Sequence, residues 1–223
     1  MKLALLLLAI ASLIAAQVAT KANERYRTPE GRAQLAAGMG SHFRDQEQNP
    51  RKLVAALDIK PGMTVADIGT GPGYMLPFLS AAAGPRGRVI AEDIFADMLE
   101  HAKKRIADRK LGNVTVVLGT ATDPKLPEAA IDLAFTLEVY HHFDYPAEML
   151  AKIRRALRED GRLAIVDFYR SEAAMPGGHA LQHIRADQPE VIREVEANGF
   201  RLAGKQDHIP GRQYLLLFRK APK

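Results

Sequence analysis

Three glycines set two residues apart, Gly69, Gly71 and Gly73, follow an apolar run that carries a single acid, Asp67. The run Val65-Ala66-Asp67-Ile68 reads as a buried parallel strand, and the apolar stretch from Tyr74 to Ala83 reads as a helix. Strand, glycine turn and helix are how open α/β sheets seat a nucleotide-like ligand at the carboxyl end of a strand. Glycine suits such a turn because a Cβ would collide with a ligand lying on the backbone. Spacing and charge then separate the possible ligands. The dinucleotide fingerprint spaces its glycines G-x-G-x-x-G and aims a helix N-terminus at a pyrophosphate. Here the third glycine comes one residue early. Asp67 beside the turn would repel a pyrophosphate but suits a cationic or amino-bearing ligand.

Further chemistry-bearing residues follow. Asp93 lies 24 residues after Gly69, near the spacing at which an acid reaches ribose hydroxyls. A carboxylate can accept both hydrogen bonds of a vicinal diol. Asp93 could instead cap the helix expected from Phe95 to Asp108. Its neighbour Glu92 is expected on the opposite face of the strand, either facing solvent or making a minor contact. The loop Gly119-Thr120-Ala121-Thr122-Asp123-Pro124 places Asp123 either against a ligand or at the head of an ordinary turn. A strand from Ile131 to Leu137 runs into Glu138-Val139-Tyr140-His141-His142-Phe143. Tyr140, His141 and His142 are candidate proton acceptors, since histidine titrates near neutrality; one histidine could equally pack and bond backbone. Adjacent histidines at a strand end are expected to point apart, so no metal site is expected there. His179 and His183 have the i, i+4 spacing of many zinc pairs but lack a third ligand nearby in sequence.

From Val65 to Gly73 the chain resembles the class I S-adenosylmethionine-dependent methyltransferases. Their first motif reads hydrophobic, hydrophobic, Asp, hydrophobic, Gly-x-Gly-x-Gly. The resemblance extends over roughly residues 50–219 and implies S-adenosylmethionine as cofactor. It implies Asp67, Gly69, Thr70, Gly71, Gly73 and Tyr74 around the methionine part, and Asp93 with Ile94 at the ribose. It further implies Thr120, Ala121 and Asp123 along the adenine, Glu138 beside the cofactor, and Tyr140, His141 and His142 facing the methyl acceptor. One departure is visible: the family places an acid directly after the loop glycine, where this chain has Thr120. The implied reaction is methyl transfer to a small-molecule or lipid-like acceptor. A nicotinamide-dependent oxidoreductase and a non-catalytic binding or scaffold protein are the alternatives that the residues alone leave open.

Elements that could position these groups are legible along the chain. Leu157 to Asp167 resembles the family's helix-turn-strand leading into the fifth strand, and strands are expected over Arg88 to Ile94, Val114 to Leu118, Phe200 to Asp207 and Gln213 to Arg219. The last two would pair as a hairpin through Pro210-Gly211. Helices are expected over Ala147 to Leu157, ended by Gly161 as a left-handed cap, and over Pro189 to Asn198. The expected fold is α/β, a Rossmann-like doubly wound seven-stranded sheet, mostly parallel with a C-terminal antiparallel hairpin. It would occupy residues 61–223, with residues 23–60 as an N-terminal cap segment. In that segment Tyr26 to Arg32 is expected to be irregular, and Pro50 to Leu57 a helix on the sheet edge. Tyr26, Arg27, His42, Phe43 and Arg44 are candidate pocket residues. Phe168 to Gln188, with its Pro-Gly-Gly, is expected to be a mobile loop over the site.

With 223 residues, 47% of them apolar, the chain suits one domain with a substantial core. Lys and Arg outnumber Asp and Glu by 31 to 26, but no basic block interleaved with aromatics suggests a nucleic-acid partner. After Lys2, the uncharged stretch Leu3 to Ala16 has the length of a signal-peptide core. Residues 1–22 are therefore expected to export the chain, with cleavage after Ala22 or Ala16, or to anchor it through residues 3–19. Lys21, Arg25 and Arg27 would favour a cytoplasmic face for an anchored form. The absence of cysteine permits export without requiring it.

Overall fold

The computed structural model describes residues 17–39 and 43–222. The leader stretch Leu3 to Ala16 and His42 lie outside the described residues. Seven strands form one sheet: β1 (Thr64–Ile68), β2 (Arg88–Asp93), β3 (Val114–Leu118), β4 (Ile131–Leu137), β5 (Leu157–Phe168), β6 (Phe200–Ile209) and β7 (Gln213–Lys220). Their order is β3-β2-β1-β4-β5-β7-β6. Strands β1 to β5 pair in parallel, while β7 runs against both its neighbours, β5 and β6. The fold class read from the sequence is the one observed.

The helices are α1 (Pro29–Met39), α2 (Phe43–Gln48), α3 (Pro50–Leu57), α4 (Leu76–Ala83), α5 (Ala96–Asp108), α6 (Pro146–Ala156), α7 (Ala180–His183) and α8 (Gln188–Ala197). Strand alternation sorts the core into two layers. Val65, Val89, Leu133 and Phe135 pack with Leu53 and Leu57 of α3, Leu76 and Leu79 of α4 and Ala102 of α5. Ala66, Ile68, Ile165 and Leu216 pack with Leu150 and Ile153 of α6 and Val191 and Val195 of α8. Both faces are thus covered, as a parallel sheet requires, and the central strands are apolar on both sides.

Several elements depart from the sequence reading. Gly161 does not cap a helix; it lies inside β5. A Cβ there would stand 2.8 Å from the Ile131 carbonyl oxygen, so close backbone approach explains the glycine. Helix α3 packs across a face of the sheet, and the edges are β3 and β6. Tyr26 to Arg32, expected to be irregular, contains the end of a 3₁₀ turn (Glu24–Arg27) and the start of α1. That helix buries Ala36 alone, so it leaves no apolar periodicity to detect. The segment expected as a mobile loop has a small core of its own, in which Ala174, Ala180 and Ile184 are buried against Phe168 and Tyr169.

Candidate functional site

Strand order reverses between β1 and β4, and open α/β sheets hold ligands at the carboxyl ends of strands at such a point. A cavity of about 350 Å³ lies there, within the usual size of small-molecule sites. The end of β1 and its turn (Asp67 to Pro72), the end of β2 (Glu92 to Phe95) and the end of β4 (Leu137 to Val139) build three sides. The N-terminal segment adds Asn23, Tyr26, Arg27, Met39 and Arg44.

The glycine turn is shaped by its neighbours. Gly69 has φ +70°, and a Cβ there would fall 2.5 Å from Val139 Cγ1, so the ends of β1 and β4 could not close together. Gly71, also in the turn, lies on the cavity wall. Gly73 stands off that wall; a Cβ would meet Leu76 Cδ1 at 2.7 Å and Ala102 Cα at 3.3 Å, so it lets α4 approach α5. Thr70 Oγ1 donates to Asp67 Oδ2 at 2.7 Å. The Gly71 N–H donates to Asp93 Oδ2 and the Phe95 N–H to Asp93 Oδ1, both at 2.9 Å. Asp93 therefore braces the turn from two positions before Phe95, the N-cap residue of α5.

Three buried acids converge here. Asp67, Glu92 and Asp93 line the same cavity. Burial raises the Asp67 carboxyl to about 7 against the hydrogen bond from Thr70, and raises Asp93 despite the backbone N–H groups it accepts. Burial, then the charge of Asp93, pushes Glu92 well above the usual range. Of the two positions expected for Glu92, the solvent-facing one is wrong, since it is 1% exposed, while a contact in the cavity fits its place on the wall. Strand β2 is covered on both faces, so its opposite face is interior, and Gly119 is there because a Cβ would collide with Glu92 Oε1. Glu92 Oε2 accepts the Gly69 N–H at 3.3 Å, while buried Oε1 has no partner among the described residues. A polar atom buried without a partner calls for a donor from a ligand.

Arg44 stands among these acids. It donates to Glu138 Oε2 at 3.0 Å and lies 4.3 Å above the Tyr74 ring. Glu138, at φ +58°, is held from the other side by Gln213 at 2.6 Å. Tyr74 donates its hydroxyl to Asp45 at 2.8 Å. Ile94 and Ala121 are on the cavity wall, as are Tyr26, Arg27 and Arg44 of the N-terminal candidates. Thr120 and Asp123 are not. Asp123 turns to the Lys125 N–H at 2.8 Å and to the ammonium groups of Lys125 and Lys152, and its carbonyl accepts the Thr120 N–H. The turn satisfies itself and leaves Ala121 facing the cavity.

The Tyr-His-His run divides three ways. Tyr140 is buried away from the cavity, donating to Glu194 of α8 at 2.5 Å beneath Arg185. His141 also lies off the wall; its backbone N–H and Nδ1 donate to Asp167 at 3.0 and 2.7 Å. His142 alone of the three lines the cavity. Its Nδ1 donates to Asn23 Oδ1 at 2.8 Å, while Asn23 Nδ2 donates to the His142 carbonyl at 3.0 Å. Burial, then the neighbouring His141 and His183, holds His142 well below its usual value, so it is neutral at pH 7 with Nε2 free to accept. The rings of His141 and His142 do not point apart: their centroids are 4.0 Å from each other, because the chain turns through a 3₁₀ helix (Tyr140–His142). Asn23 and Asp167 were missed in the sequence, although an acid ending the apolar run Leu163 to Val166 was a signal for the latter.

Comparison with known proteins fits this geometry. The methyltransferase domain family (Methyltransf_11) matches residues 66–165, from β1 through most of β5. A SAM-dependent methyltransferase from Aquifex aeolicus superposes with a TM-score of 0.76 at 26% identity, over 86% of this chain and 97% of that one. Residues 66–165 are a class I S-adenosylmethionine-dependent methyltransferase domain. Among curated relatives, the nocamycin O-methyltransferase of Saccharothrix syringae is 34% identical over 52% of this chain and 41% of its own length. A ubiquinone/menaquinone biosynthesis C-methyltransferase of Bordetella avium is 31% identical over 52% of this chain and 45% of its own. The chain spans less than half the length of these relatives. The cofactor of the methyltransferase domain is S-adenosylmethionine, and the site suits it. A sulfonium and an ammonium are matched by a cavity lined with acids, and Asp93 keeps lone pairs for a diol. The same acids would repel the pyrophosphate of a nicotinamide cofactor.

Proposed function

We propose that this chain transfers a methyl group from S-adenosylmethionine to a small hydroxyl-bearing molecule with an apolar, even lipid-like, body. The observation that carries the reading is the convergence of Asp67, Glu92 and Asp93 with the glycine turn in one cavity that His142 also walls. When bound, S-adenosylmethionine supplies an electrophilic methyl on a sulfonium, and in-line attack by the acceptor releases S-adenosylhomocysteine. Asp67 would hold the cofactor's amino group, Asp93 its ribose, and Ile94 and Ala121 the faces of its adenine. Methyl transfer needs the nucleophile aligned and water excluded. Tyr26, Val139, Phe143 and Met149 supply apolar wall for that purpose, and Tyr26 meets the His142 ring edge-on at 4.8 Å. His142 Nε2 would accept the acceptor's hydroxyl proton, its ring held by Asn23. The O-methyltransferase among the relatives supports a hydroxyl acceptor.

Titration calorimetry with S-adenosylhomocysteine and NAD tests the reading. Saturable binding of S-adenosylhomocysteine is expected, and binding of NAD alone would overturn it. Incubation of methyl-labelled S-adenosylmethionine with a panel of phenols and quinols then looks for transfer, and cofactor binding with no transfer would favour a scaffold.

The leader reading is a second proposal: export or anchoring through residues 3–19. Ala19 and Ala22 are buried in the folded body, and the Val18 N–H donates to the Asp144 carbonyl at 3.2 Å. Cleavage after Ala16 would leave these contacts whole, which favours that site over Ala22. Protease protection on intact cells and N-terminal sequencing decide it; full-length protein in the soluble cytoplasm would exclude both forms.

A further inference from the structure

His141 and His142, on the turn after β4, meet His183 at the end of α7, although 42 residues separate His141 from His183. We propose that His141, His142 and His183 form a three-histidine site for a divalent first-row metal ion, with zinc the best match in size and ligand preference.

His141 Nε2 and His183 Nε2 stand 3.2 Å apart. Two nitrogens on one tetrahedral zinc, each about 2.0–2.1 Å from the ion, lie about 3.3–3.4 Å from each other. The ligand atoms of all three residues fall within 4.8 Å of one another, so a modest ring rotation completes the set.

The far nitrogens of two of the rings are already tied. Metal-binding histidines donate their other N–H to a carboxylate or carbonyl, which fixes the tautomer and aims the lone pair at the ion. His141 Nδ1 does so to Asp167, and His142 Nδ1 does so to the side-chain carbonyl of Asn23. Both Nε2 lone pairs are thereby turned free. Without an ion, one proton could join His141 to His183 and would leave the third nitrogen with nothing to accept.

Asp167 is 1% exposed, and its ion-pair partner among the described residues is His141. A buried carboxylate behind the imidazoles favours a cation in front of them. Three protein ligands with one open position mark catalytic zinc sites, whereas structural sites are closed by four. His142 lies on the cavity wall, so the open position belongs to the cavity side. An acceptor hydroxyl entering it would be acidified by the ion and would give its proton to water as the alkoxide forms, so that no bare imidazole nitrogen need accept it.

Metal binding is read here without any methyl transfer, so its failure would leave the methyltransferase reading intact. The full chain, untagged and stripped of metal, is titrated with Zn²⁺ by calorimetry and with Co²⁺ by visible absorption. One ion per chain is expected, with the ligand-field bands of a tetrahedral nitrogen site. H142Q and H183A, on different elements, should each weaken binding at least about 10-fold, and D167N about 10- to 100-fold. H101A and H179A, at exposed histidines, should leave it unchanged. Circular dichroism identifies which variants fold, and any one folded variant of the first three suffices to read the result. Absence of saturable one-ion binding, or affinity unchanged in those folded variants, overturns the proposal.

Discussion

The Asp93 carboxylate accepts the Gly71 N–H at 2.9 Å, so the acid that ends β2 holds the glycine turn that follows β1. The second carboxylate oxygen takes the Phe95 N–H at 2.9 Å. D93A should therefore weaken S-adenosylmethionine binding by about 1.5–3 kcal/mol, the range for hydrogen bonds to a charged group. Calorimetry checks this on folded protein, and unchanged affinity would remove Asp93 from the ribose site.

Asp67 makes stability depend on pH. Its carboxyl is raised from 3.8 to about 7, chiefly by burial, so the folded state holds a proton that the unfolded chain gives up. Its stabilising effect is complete below pH 4 and is lost as pH rises through about 7. Thermal melts of the cofactor-free protein should show wild type losing stability relative to D67N between pH 5 and pH 8, by on the order of a few kcal/mol. A difference that stays flat with pH would refute it.

Cofactor binding should run the other way. An ammonium beside Asp67 favours the carboxylate, so binding below pH 7 should release a proton and strengthen as pH rises towards 7. Calorimetric enthalpies in buffers of different ionisation heat would expose the released proton. D67N should abolish that dependence.

Gly69 and Val139 are matched in shape. G69A places a methyl 2.5 Å from Val139 Cγ1 at a residue with φ +70°. Overpacking of this kind costs about 1–3 kcal/mol, to which left-handed strain adds. V139A should restore the packing part and leave the strain, so the double variant should melt above G69A and below wild type.

A chain starting at Asn23 should be less stable than one starting at Gln17. It lacks the buried Ala19 and Ala22 and the hydrogen bond from Val18 to Asp144. A loss of about 1–3 kcal/mol is expected, which for a domain of this size lowers the melting temperature by several degrees. Equal melting temperatures would mean that residues 17–22 add nothing to the fold.

Local patterns were legible where local physics dictates them. β1, β3 and β4, and the first-turn glycines with Asp67, follow from apolar runs and backbone conformation, and α3 spans the expected Pro50 to Leu57, where the structure adds the Asn49 side chain accepting the Lys52 N–H at its start. Helix α1 was hidden because it buries almost nothing, and Gly161 was misassigned because its neighbour across the sheet, Ile131, is distant in sequence. Glu92 could be given a solvent-facing position because strand alternation gives two faces but does not say that both are interior.

The sequence by itself determined the class of sheet, the glycine turn and the acids at the ends of β1 and β2, because each depends on residues near one another in the chain. Tertiary structure alone decided which side chains share a space. It turned Tyr140 towards Glu194, Asp123 towards Lys125, and His142 into the cavity, and it brought His183 to within 3.2 Å of His141. These are outcomes of helices packing on the sheet and of loops crossing its carboxyl end. Such contacts join segments whose spacing along the chain carries no record of them.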